Sequence, residues 1–238
     1  EILFIAEDSL YNLWVATKAG MCLYDRGNDC FKKVVINGNR NSYANSYLLL
    51  NDGIIFGGMS CIYKFEYNTK KWNTYFFKQL PNAHIPFRKM VYYDNNTILM
   101  NTQWNGIYSF NMKTKQLKRI EDFAADNYSA IYVDKKNHLW ISPYRKGLYC
   151  YKNGKPLKHF TSENSSLTYN VIHDITEKEN QLWIATDGGG INILSLDDFS
   201  FSHINKMQDD VNSFPASAIY RIYCDPANNI WAGSVHHG

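Results

Sequence analysis

The chain has 238 residues, 45% of them hydrophobic and 20% charged, with 13 Phe, 6 Trp and 18 Tyr; such a chain is too apolar and aromatic to stay disordered. Lys and Arg outnumber Asp and Glu by only 25 to 22 and form no basic runs, so nothing here addresses nucleic acid or an anionic membrane. No stretch approaches the roughly 18 apolar residues of a spanning helix, and the chain opens at Glu1 without a basic and then apolar leader, so any targeting segment is expected to have been removed.

One pattern recurs along the chain. In residues 1–40, Asp8 in a polar turn precedes the run Asn12 to Thr17 around Trp14, then come Gly20, the strand-like Met21 to Tyr24 and a last run, Phe31 to Ile36. Residues 41–82 hold a degenerate copy, Gly53 to Gly58 around Ile55, with Cys61 at the glycine position and a closing run from Trp72 to Phe77. Residues 83–125 hold another, Thr97 to Thr102 around Leu99, followed by Gly106, Ile107 to Phe110 and Leu117 to Ile120. In residues 126–165 the order is Asp134, His138 to Ser142 around Trp140, Gly147, Leu148 to Tyr151 and Leu157 to Phe160, with Asn153-Gly154 suited to the two positive-φ positions of a tight I′ hairpin. Residues 166–212 carry Glu177, Gln181 to Thr186 around Trp183, Gly190, Ile191 to Leu194 and Phe199 to Ile204; residues 213–238 carry Asp225 and Asn229 to Ser234 around Trp231 and then stop.

Taking Trp14, Ile55, Leu99, Trp140, Trp183 and Trp231 as equivalent, the intervals are 41, 44, 41, 43 and 48 residues, the length of a four-stranded propeller blade. Short β-branched and aromatic runs recur while helical periodicity is absent. The expected fold is therefore all-β, with almost no helix: a β-propeller segment of four-stranded antiparallel blades, five full and a sixth partial, forming a repeat protein cut from a larger ring. The indoles are expected to fill the gaps between neighbouring blades, each removing roughly 150 to 250 Å² from water.

The pattern Asp-x-x-x-Asn-x-Leu-Trp-Ile-x-Thr followed by Gly-Gly-Ile resembles the two-component regulator propeller repeat, and its best copy runs from Glu177 to Ile191. The resemblance implies the extracytoplasmic sensor of a Bacteroides-type hybrid two-component system. It places the chain in the periplasm as part of an inner-membrane protein, joined to the membrane only through a downstream segment, working as a homodimer and sensing an oligosaccharide for a histidine kinase.

Chemistry-bearing motifs are sparse. GxSxG, HExxH, a P-loop and a helix-opening GxGxxG are all missing. Asp187-Gly188-Gly189-Gly190 joins two strands and reads as a tight loop; His236-His237 and His173-Asp174 are adjacent on strands, where neighbours diverge, and Asp197-Asp198 and Asp209-Asp210 read as solvated turn carboxylates. The five cysteines, Cys22, Cys30, Cys61, Cys150 and Cys224, fit neither a disulfide scaffold nor a metal cluster and read as free, mostly buried strand thiols. No catalytic residue, cofactor or metal is expected in this segment.

Binding groups are expected on loops held by the strands. Those after the Trp runs contribute Gln103, Trp104, Asn105, Tyr144, Arg145, Lys146 and Asp187; those between successive units contribute Arg40, Tyr43 and Tyr169, with His84, Asp126, Tyr128 and Asn170 beside them. Aromatic rings among amide, guanidinium and carboxylate groups suit a sugar, which stacks one face and exchanges hydrogen bonds through its hydroxyls. Trp104 stands out because it lies outside the Trp register; packing on a neighbouring loop is its competing reading. Alternatives to sensing are a structural or dimerisation segment and, third, a lyase or glycosidase.

Overall fold

The computed structural model describes residues 1–39, 42–77, 80, 85–102, 104–123, 126–205 and 216–234, and these fall into two compact units, Glu1–Ala125 and Asp126–Gly238. In the first unit β1 to β4 (Ile2–Glu7, Leu13–Thr17, Gly20–Asp25, Cys30–Lys33) form one antiparallel sheet in chain order. The next, β5 to β8, comprises Ser46–Leu50, Gly53–Gly57, Cys61–Glu66 and Trp72–Phe76; the third, β9 to β12, comprises Phe87–Tyr92, Thr97–Thr102, Ile107–Asn111 and Leu117–Arg119. A single 3-10 turn, Glu121–Phe123, is the only helical element among the described residues.

The second unit repeats the meander with β13 to β16 (Tyr128–Val133, His138–Pro143, Leu148–Lys152, Lys155–Phe160) and β17 to β20 (Ile172–Lys178, Gln181–Thr186, Ile191–Ser195, Phe201–Ile204). It ends on a two-stranded sheet of β21 (Ile219–Cys224) and β22 (Ile230–Ser234).

Sequence dictates how deep each strand lies. β6 (Gly-Ile-Ile-Phe-Gly) and β14 (His-Leu-Trp-Ile-Ser-Pro) are buried at every position, so both faces of the second strand are covered and the apolar run need not alternate. Two of the outermost strands are the opposite: all of β4 and all but the last residue of β16 are exposed, and Lys32, Lys33, Lys155 and Lys158 occupy them, which blunts the edge against pairing with other chains.

The indoles fill gaps as expected only in part. Trp14 is 2% exposed and lies 5.3 to 5.8 Å, centroid to centroid, from Phe56, Phe65 and Trp72 of the next sheet. Trp140 is fully buried against Phe160 and, from the neighbouring sheet, Phe199. Trp183 is only half-buried and its indole N–H finds no acceptor, while Trp231 is 63% exposed on its two-stranded sheet.

The propeller expectation is corrected. The described residues form six open antiparallel sheets, five of four strands and one of two, and no sheet is closed into a barrel or a propeller. A spacing of forty-odd residues fixes the length of each meander; closure depends on contacts that a local pattern does not encode.

The expectation of a repeat protein is corrected as well. Asp8, Asp134 and Asp225 each clasp the indole six residues on, but at the equivalent position Glu177 lies inside β17 and its Oε2 accepts from the backbone N–H of Lys135 at 3.0 Å, leaving Trp183 without the clasp.

Candidate functional site

The clasp shows how the loops are held. The Asp134 carboxylate is 3% exposed and accepts four N–H donors at 2.8 to 2.9 Å: the backbone of Lys136 and His138, His138 Nδ1 and Trp140 Nε1. Asp8 does the same for Leu10, Asn12 and Trp14, and Asp225 for Ala227, Asn229 and Trp231. Short polar side chains that bond the backbone two and four residues on favour turns, and the third residue after each Asp (Tyr11, Asn137, Asn228) takes a positive φ of 59 to 63°. The Asp225 carboxyl titrates at about 2, held down first by the Trp231 indole and then by Asn229. The sequence marks these Asp residues as turn residues without naming their indole partner; the constant six-residue spacing is the signal for it.

At the opposite ends of the strands, loops of the second unit converge. Tyr144 N–H donates to Asn127 O, Gly147 N–H to Asn170 O, Asp187 N–H to Val171 O, and Gly188 and Gly190 N–H both to Ser217 O, at 2.7 to 3.1 Å. This ladder sets the loop of residues 144–147 beside Asn170, and the Tyr169 ring lies against Gly188. Arg145 lies over the Tyr144 ring at 5.2 Å, and Lys146 pairs with Asp126 at 2.5 Å. The Asp187-Gly188-Gly189-Gly190 loop takes its glycines from close approach: a Cβ on Gly189 would stand 2.2 Å from Thr168 Oγ1, whereas at Gly188, with φ of 127°, the nearest atoms belong to the Tyr169 ring at 3.5 Å. Tyr144 and Tyr169 are 38% and 43% exposed.

His173 faces Asp187 while Asp174 turns inward, so the two neighbours diverge as expected of a strand. A bulge between Ile172 and Asp174 breaks the β17–β18 register, and bulges re-aim side chains. Asp174 stays buried and accepts from Ile222 N–H, while His173 Nε2 stands 3.7 Å from Asp187 Oδ2 and the imidazole stacks on Tyr220 at 4.1 Å. Burial holds the imidazole below its usual value, opposed by Asp187. Nε2 is buried and makes no hydrogen bond, its nearest charged partner, Asp187, standing beyond hydrogen-bond distance. No Ser or Cys lies against it as a nucleophile among the contacts described.

The first unit holds the other candidates apart from this cluster in the chain. Tyr43 Oη donates to Asn45 Oδ1 at 3.1 Å, and burial raises the Tyr43 phenol. Trp104 has a φ of 72° and is 63% exposed at the loop tip, with Asn105 beside it; packing on a neighbouring loop does not cover it. Arg40 and Gln103 lie outside the described residues, as do His84, Asp209-Asp210 and His236-His237. Among the described residues no group of three or more His, Cys, Asp or Glu is placed to hold a metal ion. All five cysteines are free thiols, but only Cys61 and Cys150 are buried and Cys30 is exposed, against the expectation of mostly buried ones.

No protein-family model and no curated protein matches the chain, so the resemblance of the Trp motif to two-component regulator propeller repeats is corrected: it does not place the chain in that family. Solved structures do share the fold. The extracellular domain assigned to a hybrid two-component system of B. thetaiotaomicron is 21% identical with a TM-score of 0.77, over 98% of this chain and 32% of that one. A second such domain from the same organism is 18% identical with a TM-score of 0.62, over 98% and 37%. A streptogramin B lyase is 14% identical with a TM-score of 0.69, over 98% and 76%. The chain thus spans about a third of the two extracellular domains, and at these identities the likeness is one of fold.

Proposed function

We propose that the chain is part of the extracytoplasmic sensor region of a hybrid two-component system and that the loop end of its second unit binds an oligosaccharide. The observation that carries this reading is the convergence of Tyr144, Arg145, Lys146, Tyr169 and Asp187, joined by His173, on one ladder of loop hydrogen bonds. In this reading the exposed part of the Tyr169 ring stacks on a pyranose while Asp187 and Arg145 exchange hydrogen bonds with its hydroxyls. The likeness to two extracellular sensor-system domains supports the setting. In this role binding biases two states of the full-length protein through its differential affinity for them, and the segment itself carries out no reaction.

Titration calorimetry against a panel of neutral glycan fragments tests the site. One fragment class is expected to give a saturable heat that Tyr169→Ala and Asp187→Asn each weaken by about tenfold or more. No heat from any fragment, or affinity untouched by both substitutions, defeats the reading; product formation from the same fragments would instead make the chain an enzyme. Light scattering on the same samples reads whether the chain is a homodimer.

A further inference from the structure

The first unit has a concave feature, far in chemistry from the loop cluster of the second unit. Between β8 and β12, the outermost strands of two neighbouring sheets, lies a cavity of about 310 Å³ lined by Tyr75, Phe76, Phe77, Lys115, Leu117 and Lys118, with Gln116 at its rim. Its floor is fixed: Phe77 and Leu117 are buried, and both Tyr75 and Phe77 pack on Phe110 at 5.6 Å. Its wall is open, because Phe76 is 70% exposed. Lys115, held in a positive-φ turn at 59°, places Nζ 5.2 Å from the Tyr75 ring centroid and donates to Met112 O. Lys118 is exposed, and no carboxylate lines the cavity.

The surrounding charge has the same sign. Residues 1–125 carry 15 Lys and Arg against 10 Asp and Glu, while the remainder of the chain carries 10 against 12. A groove with an apolar floor, lined by aromatic residues and by two lysines and no carboxylate, recognises a molecule with an apolar body and an anionic head. The volume lies at the lower end of the range for small-molecule sites. We infer that this cavity is a binding site for a small amphipathic anion, an aryl or alkyl carboxylate or sulfonate whose body lies on Phe76 and whose head sits between Lys115 and Lys118.

The probe is anilinonaphthalene sulfonate, titrated by fluorescence into the whole chain, with 4-phenylbutyrate and the uncharged 4-phenylbutanol as competitors. Saturation at one equivalent is expected, with phenylbutyrate displacing the dye at far lower concentration than the alcohol. Phe76→Ala and the double substitution Lys115→Gln with Lys118→Gln, all at exposed positions, are each expected to weaken binding by about tenfold. Circular dichroism of each variant verifies that it is folded. Tyr169→Ala is expected to leave dye affinity unchanged, which separates this site from the sugar site. Dye affinity unchanged in both cavity variants, displacement by the alcohol as readily as by the acid, or loss of binding in Tyr169→Ala would each overturn the assignment.

Discussion

Asp134 is the residue on which most local structure converges, because one nearly dry carboxylate satisfies two backbone and two ring N–H donors. Replacing it with Ala strands the Trp140 and His138 donors in the interior, each costing about 1 to 3 kcal/mol, so Asp134→Ala is expected to lower stability by about 2 to 5 kcal/mol in urea unfolding. Asp225→Ala breaks the same clasp on the surface and should cost distinctly less, since water takes up the Trp231 indole. His173 supplies the pH-dependent term. Its folded value lies below the ordinary 6.5 because of burial, so in the window beneath 6.5 the unfolded chain binds the proton that the folded one refuses. The associated stability is present above pH 6.5 and lost as pH falls from there toward the folded value; His173→Gln is expected to flatten the stability profile in that interval. The sequence shows Tyr169 and Asp187 as loop residues but not the approach of His173 to Asp187, since a bulge is a backbone irregularity that alternation cannot foretell.

At the scale of strands and turns the sequence is far more legible. The Trp runs, the glycine that follows them and the Asn153-Gly154 hairpin all lie where apolar patterning and turn chemistry put them, with φ of 52° and 74° at the hairpin pair. Not every glycine is there for the same reason, and this can be measured. Gly154 has open space around its missing Cβ, so Gly154→Ala meets only the positive-φ penalty of about 1 kcal/mol. Gly147 has the same φ of 74°, but a Cβ there would sit 2.2 Å from Phe160 O, the carbonyl of a backbone that cannot rotate away. Gly147→Ala is therefore expected to cost about 2 kcal/mol or more, and urea midpoints should rank the two variants in that order. The fifth meander lacks the clasp of the first and fourth for a reason also readable at this scale, in that a Glu side chain one methylene longer than Asp stands in the strand and serves the preceding sheet.

For the whole molecule, the sequence foretells an all-β chain and six sheets' worth of strands, yet neither the absence of closure nor the division into two units, both of which depend on packing between elements distant in the chain. Each unit carries one buried thiol, Cys61 in the first and Cys150 in the second. Burial pushes both up, Cys150 to about 12, so neither forms the reactive thiolate in the native state. An aromatic disulfide reagent at pH 8 is expected to label Cys30 at once and to reach Cys61 and Cys150 only as denaturant opens the unit that holds each, as read by peptide mass mapping. Fast native labelling of Cys150 would contradict the core described here.

The aspartate clasp around Trp231 forms although that indole is mostly bathed in water, and this bears on how the chain finds its structure. A contact spanning six residues closes a very short loop and needs no distant partner, so it can assemble in the earliest microseconds after synthesis or dilution from denaturant. Asp8, Asp134 and Asp225 therefore give the polypeptide three separate points at which order can nucleate, and the long-range docking of sheet on sheet begins from hairpins whose turns have already been set.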